Sequence, residues 1–182
     1  MDLSSSAYAL HSPIVVMGVS GAGKTTVGIA LAAALDVPFV DADDLHSDEA
    51  REKMARGEPL TDDDRWPWLA RVAARLADPG HPATVIACSA LKRVYRDALR
   101  AERPDIAFIH LTGTRGRVAE RLRHRAGHFM PPALLESQLQ TLEPLEADEL
   151  GAAVSVEGDP AQVTRDAIAA LRRLSVVQTP TP

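Results

Sequence analysis

Cysteine, long apolar runs and blocks of like charge are all scarce in this sequence. Its single cysteine, Cys88, excludes an internal disulfide and is typical of a reducing compartment, so we expect a cytoplasmic protein. The apolar runs are far too short to cross a bilayer, so we expect no membrane partner. Residues 1–12 are polar and lack the basic segment that opens a secretory signal. The net charge is −5 and no block of like charge stands out, which argues against a nucleic-acid partner.

The chain of 182 residues is long enough for one domain with a substantial core. Short β-type runs alternate with helical patterns. The runs lie at 14–17, 38–40, 84–88, 106–111 and 153–156, and the helical patterns at 24–35, 48–56, 67–77, 92–100, 114–125, 132–142 and 160–174. Because the strands lack polar alternation and helices separate them, we predict a five-stranded parallel sheet covered on both faces. The prediction is one three-layer α/β domain over residues 13–175, with tails at 1–12 and 176–182.

Residues 18–25, Gly-Val-Ser-Gly-Ala-Gly-Lys-Thr, match the phosphate-binding pattern G-x-x-x-x-G-K-[ST] at every defined position. An apolar strand precedes this segment, which we call the phosphate loop, and a helix follows it. Its glycines let the backbone approach a phosphate, and the helix N-terminus favours an anion. Lys24 would contact the β- and γ-phosphates, and the Thr25 hydroxyl would bind Mg²⁺. The residues expected to bind ATP here are Gly18, Val19, Ser20, Gly21, Ala22, Gly23, Lys24, Thr25 and Thr26.

Two carboxylates follow the second predicted strand. Asp41 and Asp43 are two residues apart, so in an extended segment they share a face. Ligands of parallel α/β sheets bind at the carboxyl ends of the strands. One carboxylate could hold Mg²⁺ and the other accept a proton from an attacking hydroxyl. The alternative is a turn or helix cap.

Several basic residues admit two interpretations each. Arg65 lies in an acidic, irregular segment at 57–68, where it could pair with an aspartate or reach a substrate anion; Trp66 and Trp68 of this segment are expected to pack at a helix start. Lys92 and Arg96 lie on one face at the start of a predicted helix, where cations oppose the helix dipole. They indicate either a bound anion or a solvated surface.

The most basic stretch of the chain begins at Arg115. In it Arg117, Arg121 and Arg125 are four residues apart and form one stripe of a helix that breaks near Gly127. Arginine stabilises the charge of a transferring phosphoryl group well, and a basic lid would also exclude water. We expect Arg121 and Arg125 to belong to such a lid. Surface ion pairs account for the other arginines of the stretch (Arg115, Arg117 and Arg123).

These motifs together resemble the gluconokinases, relatives of shikimate kinase and the nucleoside monophosphate kinases. The resemblance runs from about residue 15 to residue 149. Besides the phosphate loop it rests on residues 41–46, 53–54 with 57–69, 88–92 with 95–97, and 128–130 with 134–138. Shikimate kinases carry three glycines where this chain has Cys88-Ser89-Ala90.

The resemblance implies that ATP phosphorylates the 6-hydroxyl of D-gluconate. It also implies a small substrate-binding region at about 44–78, a lid at about 121–133, and a possible homodimer. Asp43 would orient and deprotonate the hydroxyl, Asp41 and Thr25 would hold Mg²⁺, and Arg121 would lie against the adenine. Lys24 and Arg125 would neutralise the transferring phosphoryl group. The implied partners of D-gluconate are Asp43, His46, Arg65, Lys92, Arg96, His128 and Gln138.

The sequence departs from the pattern of this family in three places. Ala42 replaces the glycine of Asp-Gly-Asp, Ala50 replaces an asparagine that could bind substrate, and Leu139 stands where phenylalanine is common. None of these changes removes an essential chemical group. Two other functions are alternatives to the one that the resemblance implies. One is a kinase for another sugar acid, shikimate or a nucleotide. The other is a nucleotide-binding switch or assembly module, although the guanine-reading string Asn-Lys-x-Asp is absent.

Overall fold

The computed structural model describes residues 9–81, 83–124, 132–174 and 176–178. The strands are β1 (Ala9–Leu10), β2 (Ile14–Met17), β3 (Phe39–Asp41), β4 (Val85–Ala87), β5 (Ala107–Thr112), β6 (Gly151–Ser155) and β7 (Val177–Gln178). The helices are α1 (Lys24–Leu35), α2 (Asp48–Ala55), α3 (Asp62–Leu76), α4 (Arg93–Glu102), α5 (Arg115–His124), α6 (Pro132–Thr141) and α7 (Pro160–Arg173). A 3₁₀ turn, Ala42–Leu45, follows β3 directly.

Five strands form one parallel sheet in the order β3-β4-β2-β5-β6. The side chains of β2 alternate between two cores: Ile14 and Val16 pack on one face, Val15 and Met17 on the other. The first core includes the buried faces of α1 and α7, and the second those of α3 and α4. Since both faces are covered, the central strands β2 and β4 are entirely apolar. The predicted three-layer α/β fold is confirmed.

The carboxyl ends of β2, β3 and β4 lie side by side at one edge of this sheet. The phosphate loop follows β2, Asp41 ends β3, and Cys88 and Ser89 follow β4. Parallel pairing puts these ends together because each strand runs the same way. The fold therefore assembles the three polar segments that the sequence places far apart.

Two features differ from the predictions. Strands β1 and β7 pair antiparallel within the segments predicted as tails, with Ala9 opposite Gln178 and Leu10 opposite Val177. Helix α3 begins at Asp62 and not at Pro67, because a capping box starts it. The Thr61 hydroxyl accepts the Asp64 N–H at 3.2 Å, and the Asp64 carboxylate accepts the Thr61 N–H at 2.7 Å.

No helix in the described ranges combines the length and the hydropathy needed to cross a bilayer.

Candidate active site

The phosphate loop has the backbone conformation that its glycines predict. Gly18, Gly21 and Gly23 have φ of +138°, +83° and +95°. A Cβ at Gly21 would lie 2.6 Å from Cγ of Leu122, so α5 packs directly on the loop at this position. Gly23 caps the N-terminus of α1 in the left-handed conformation. The loop therefore directs backbone amides and a helix N-terminus toward the same space, which suits a phosphate.

Asp41 links the phosphate loop to the segment after β3. Although β4 lies between β2 and β3, the Thr25 hydroxyl donates to Oδ2 of Asp41 at 2.9 Å. The other oxygen, Oδ1, accepts the backbone N–H of Asp43 at 3.1 Å. The Asp41 side chain thus caps the 3₁₀ turn and orients the Thr25 hydroxyl at once. The cap that the sequence left as the alternative is therefore present at Oδ1, whereas Oδ2 faces the Thr25 hydroxyl.

Two cavities meet at the phosphate loop. The first, of about 570 Å³, is the loop cavity; it extends from Thr25 past α5 to the residues after β6. The second, of about 450 Å³, is the Trp68 cavity; it lies between α2, the start of α3 and α6. The residues common to both linings are Ser20, Lys24 and Asp43. A group bound in one cavity would therefore meet a group bound in the other beside Lys24 and Asp43.

Lys24 and Asp43 have different environments. The Lys24 ammonium donates to the backbone carbonyl of Val19 at 3.2 Å, which holds it against the phosphate loop. The Asp43 side chain is 80% exposed and lies 4.0 Å from Nε2 of His46. A point charge near the loop and an accessible carboxylate at the junction are the groups that phosphoryl transfer to a hydroxyl requires.

His46 lies on the wall of the Trp68 cavity, stacked on the indole of Trp68 with ring centroids 4.5 Å apart. Trp68 is fixed in turn, because its indole N–H donates to the Ala42 carbonyl at 2.7 Å. Burial lowers the pKa of His46, although the Asp43 carboxylate raises it; nearby arginines lower it further (Arg71, Arg51 and Arg65). The imidazole is therefore neutral at pH 7, and its buried Nδ1 has no partner among the described residues.

Arg65 and Lys92 belong to one network around Asp62. Lys92 donates to both oxygens of Asp62, at 3.0 and 2.9 Å, and the Tyr95 hydroxyl donates to Oδ1 at 2.5 Å. Arg65 contacts the Tyr95 hydroxyl at 3.2 Å and also lines the Trp68 cavity. The hydrogen bonds from Tyr95 and Lys92 lower the pKa of Asp62. Arg65 thus reaches the cavity, whereas Lys92 is engaged with Asp62.

Arg96 is not a surface residue, and its predicted contact with a substrate is wrong. Its side chain is completely buried and forms a bidentate pair with Glu149, which is also buried. The remaining guanidinium hydrogens are donated to backbone carbonyls (Ala90, Leu91, Glu143 and Pro144). Arg96 therefore ties α4 to the segment after α6.

The buried thiol of Cys88 lies near this site but is chemically inert. Burial raises its pKa to about 12, and the carboxylates of Asp43 and Asp41 contribute to the rise. It is therefore a neutral packing residue.

Comparison with known proteins decides the family. A protein-family model described as shikimate kinase matches residues 20–149. The gluconokinase of Gluconobacter oxydans is 49% identical over 158 residues, which cover 85% of this chain and 88% of that protein. This chain belongs to the gluconokinase family. The thermosensitive gluconokinase of Escherichia coli is 43% identical, covering 87% of this chain and 88% of its own length. The crystal structure of a gluconokinase from Sinorhizobium meliloti superimposes with a TM-score of 0.86 at 50% identity, covering 91% of this chain and 94% of that one.

Gluconokinases are ATP-dependent kinases, so this chain is an enzyme with ATP as a substrate. The loop cavity contains the phosphate loop and fits the nucleotide of such a kinase. Arg121 lines this cavity, where it donates to the carbonyls of Ala22, Val156 and Gly158. Gln138 lines the Trp68 cavity, and its side-chain oxygen accepts the Ser20 N–H of the phosphate loop at 2.7 Å. The predicted site residues Arg125 and His128 lie outside the described residues.

Several residues that line the two cavities were not predicted from the sequence. On the loop cavity they are Arg117, interpreted above as a surface residue, the turn after β6 (Gly158 and Asp159) and the start of α7 (Pro160 and Val163). Arg51 is a further guanidinium on the Trp68 cavity; it donates to the Asp44 carbonyl at 2.6 Å. The rule that ligands bind beyond the carboxyl ends of strands could have indicated the turn after β6, since that turn follows the edge strand.

Proposed function

We propose that this protein transfers the γ-phosphoryl group of ATP to the 6-hydroxyl of D-gluconate, giving 6-phospho-D-gluconate and ADP. The observation that carries the proposal is that the loop cavity and the Trp68 cavity meet at Lys24 and Asp43. A nucleotide in the first and a sugar acid in the second would bring the two reacting groups together at this junction. The gluconokinases of Gluconobacter oxydans and Escherichia coli support this choice of acceptor.

Lys24 and the phosphate loop would bind the phosphoryl group that is transferred. The loop amides and the N-terminus of α1 favour an anion, and Lys24 adds a positive charge within reach of the loop. Charge spreads over the oxygens of the γ-phosphate during transfer, so fixed positive groups lower the barrier. Arg125 of the predicted lid is proposed to add a second cation there.

Asp43 would act as the general base. Its carboxylate is exposed and lines both cavities, and its backbone N–H, near the start of the 3₁₀ turn, donates to the Asp41 carboxylate. It would orient the 6-hydroxyl toward the γ-phosphate and accept the hydroxyl proton as the new P–O bond forms. His46 is neutral and stacked on Trp68, so it would present an uncharged wall of the Trp68 cavity to the hydroxyl groups of the acceptor.

The residues present fit a magnesium ion. Thr25 and Asp41 contribute a hydroxyl and a carboxylate, which are hard oxygen ligands of the kind that Mg²⁺ prefers. They lie beside the phosphate loop and would hold the ion that accompanies ATP. When bound, the ion neutralises phosphate charge.

The Trp68 cavity has the size for a six-carbon sugar acid, and two guanidinium groups line it, those of Arg65 and Arg51. Its volume of about 450 Å³ lies in the range of small-ligand sites. Arg65 faces it and is proposed to bind the carboxylate of D-gluconate. Gln138, His46 and His128 are proposed to contact its hydroxyls, and Lys92 would act through Asp62. The regions at 44–78 and 121–133 would then be the acceptor-binding region and the lid of a single domain at 13–175.

We also propose a cellular location, an oligomeric state and a class of partners for this protein. A cytoplasmic location is supported by the single cysteine, which is compatible with a reducing compartment. A homodimer is proposed on family resemblance. The partners are proposed to be small molecules, with neither nucleic acid nor membrane, which the net charge of −5 supports.

The proposal is tested with a panel of acceptors. ADP formation is followed in a coupled assay with D-gluconate, other sugar acids, shikimate and nucleoside monophosphates at equal concentration. We expect D-gluconate to have the highest kcat/KM by at least tenfold. Activity on shikimate or a nucleotide without activity on D-gluconate would reject the proposed acceptor. ATP hydrolysis that no acceptor stimulates would instead favour the nucleotide-binding switch.

A further inference from the structure

The contact between Gln138 and the phosphate loop joins two parts of the chain 118 residues apart. Gln138 lies on α6, and its side-chain oxygen accepts the Ser20 N–H at 2.7 Å. Gly18 and Gly21 lie on either side of Val19 and Ser20, and both have positive φ. The carbonyl of the peptide that joins Val19 to Ser20 accepts the Lys24 ammonium and the Ala22 N–H from within the loop, each at 3.2 Å, whereas its N–H is bonded from outside the loop. Gln138 provides that outside contact.

Helix α6 is itself anchored at its C-terminal end. The backbone N–H of Glu143 donates to the Leu91 carbonyl at 2.8 Å, and Glu143 accepts the backbone N–H of Arg93 through its carboxylate. The buried Arg96 also donates to the Glu143 carbonyl at 3.1 Å. A helix fixed in this way transmits its position to the phosphate loop through Gln138.

The same face of α6 lines the Trp68 cavity. Leu134, Ser137 and Gln138 are spaced i, i+3 and i+4, so they share one side of the helix, and all three line the cavity. Ser20 lines both cavities. An acceptor that packs against this face therefore touches the helix that holds Ser20.

We propose that Gln138 is a positioning residue which couples the acceptor site to the nucleotide site. By holding the Ser20 peptide it keeps the phosphate loop in its phosphate-binding conformation, and an acceptor in the Trp68 cavity strengthens that hold. Binding of the two substrates is then mutually favourable, by the same factor in either order. The identity of the acceptor rests on the function proposed above, whereas the contact between Gln138 and the loop does not.

The experiment is a binding measurement in the absence of turnover. Titration calorimetry gives the Kd of the β,γ-imido analogue of ATP with Mg²⁺, first alone and then with saturating D-gluconate. The variants are Gln138→Met, which removes the acceptor oxygen at similar length, and Gln138→Asn, which withdraws it by one methylene. Gln140→Met is the matched control, because Gln140 is exposed on the same helix and bonds to Glu136.

One neutral hydrogen bond changes an equilibrium about two- to tenfold, and we expect effects of that size. D-gluconate should tighten analogue binding by the wild type and by Gln140→Met. Gln138→Met and Gln138→Asn should bind the analogue alone two- to tenfold more weakly and show no tightening. If Gln138→Met fails to fold, Gln138→Asn carries the test.

Two results would overturn the inference. In one, the Gln138 variants bind the analogue alone as the wild type does and lose only affinity for D-gluconate, which makes Gln138 a plain substrate ligand. In the other, D-gluconate binds to the wild type without changing analogue affinity. Failure of the wild type to bind D-gluconate at all rejects the proposed function instead, and the analogue titration still tests the contact with the loop.

Discussion

The guanidinium of Arg96 and the carboxylate of Glu149 form two parallel hydrogen bonds, from Nε to Oε1 at 2.7 Å and from Nη2 to Oε2 at 2.8 Å. Neither side chain is exposed to solvent. The pair joins α4 to the segment that leads from α6 into β6. Burial alone would raise the pKa of Glu149, but the hydrogen bonds from Arg96 and the Glu146 amide, with the charges of Arg96 and Arg100, lower it on balance.

Replacement of Arg96 is expected to lower the free energy of unfolding without a direct effect on substrate binding. Arg96→Met removes the bidentate partner of the buried Glu149 carboxylate and leaves it the longer ion pairs with Arg93 and Arg100, at 3.8 and 3.7 Å. We expect a loss near the lower end of the range for breaking a buried ion pair, about 3 kcal/mol of the free energy of unfolding. Urea denaturation measures this loss. Arg56→Met serves as the control, because Arg56 pairs with Glu58 at the surface and should leave the unfolding midpoint almost unchanged. If Arg96→Met were as stable as the wild type and had a raised KM for D-gluconate, Arg96 would be a substrate-binding residue and not a structural one.

Mg²⁺ dependence is expected to change when the Thr25 hydroxyl or the Asp41 carboxylate is altered. Thr25→Val removes the hydroxyl at nearly constant shape, and Asp41→Asn removes the charge that this hydroxyl faces. Each should raise the Mg²⁺ concentration for half-maximal rate by about tenfold or more. Thr25→Ser, which keeps a hydroxyl, should stay near the wild type. Equal Mg²⁺ requirements for Thr25→Val and Thr25→Ser would remove Thr25 from the magnesium site.

Stability is expected to fall as the pH drops below the ordinary histidine pKa of 6.5. Burial lowers the pKa of His46 and of His110; at His110 the Arg96 charge adds to the effect. Between the lowered pKa and 6.5 the unfolded chain binds protons that the folded chain does not, so the free energy of unfolding decreases with falling pH. Each histidine contributes at most about 1.4 kcal/mol per pH unit.

Urea denaturation between pH 5 and 8 measures this dependence in the wild type and in His46→Gln and His110→Gln. The free energy of unfolding should be level above pH 6.5 and decline below it, and each variant should flatten the decline. Variants that keep the full wild-type slope would show that neither imidazole is held neutral by burial.

The fold was predictable because its central strands are apolar and helical patterns separate the strands. The start of α3 was missed for a physical reason: Pro67 fits a first turn, but the Thr61–Asp64 capping box begins the helix earlier. The three aspartates that follow Thr61 were the available signal, since acidic residues favour a first turn.

The site was predictable only where one segment carries the chemistry. The phosphate loop and the Asp41–Asp43 pair are local patterns, and the structure brings them together. Arg96 could not be placed, because its burial depends on Glu149, which lies 53 residues away and carries no local mark of pairing. The pairing of Lys92 with Asp62 could not be predicted for the same reason. The contact of Gln138 with Ser20 depends on how α6 packs. Packing between segments that are distant in sequence therefore decides which arginine and lysine side chains line a cavity.

The junction of the two cavities at Asp43 is tested most directly by the rate of ADP formation with D-gluconate in the wild type and in Asp43→Asn. Asp63→Asn, an exposed charge change on α3, is the control. We predict that D-gluconate stimulates ADP formation by the wild type, and that Asp43→Asn loses at least about a hundredfold in kcat while it binds the imido analogue of ATP with wild-type affinity. Near-normal turnover by Asp43→Asn would contradict the account.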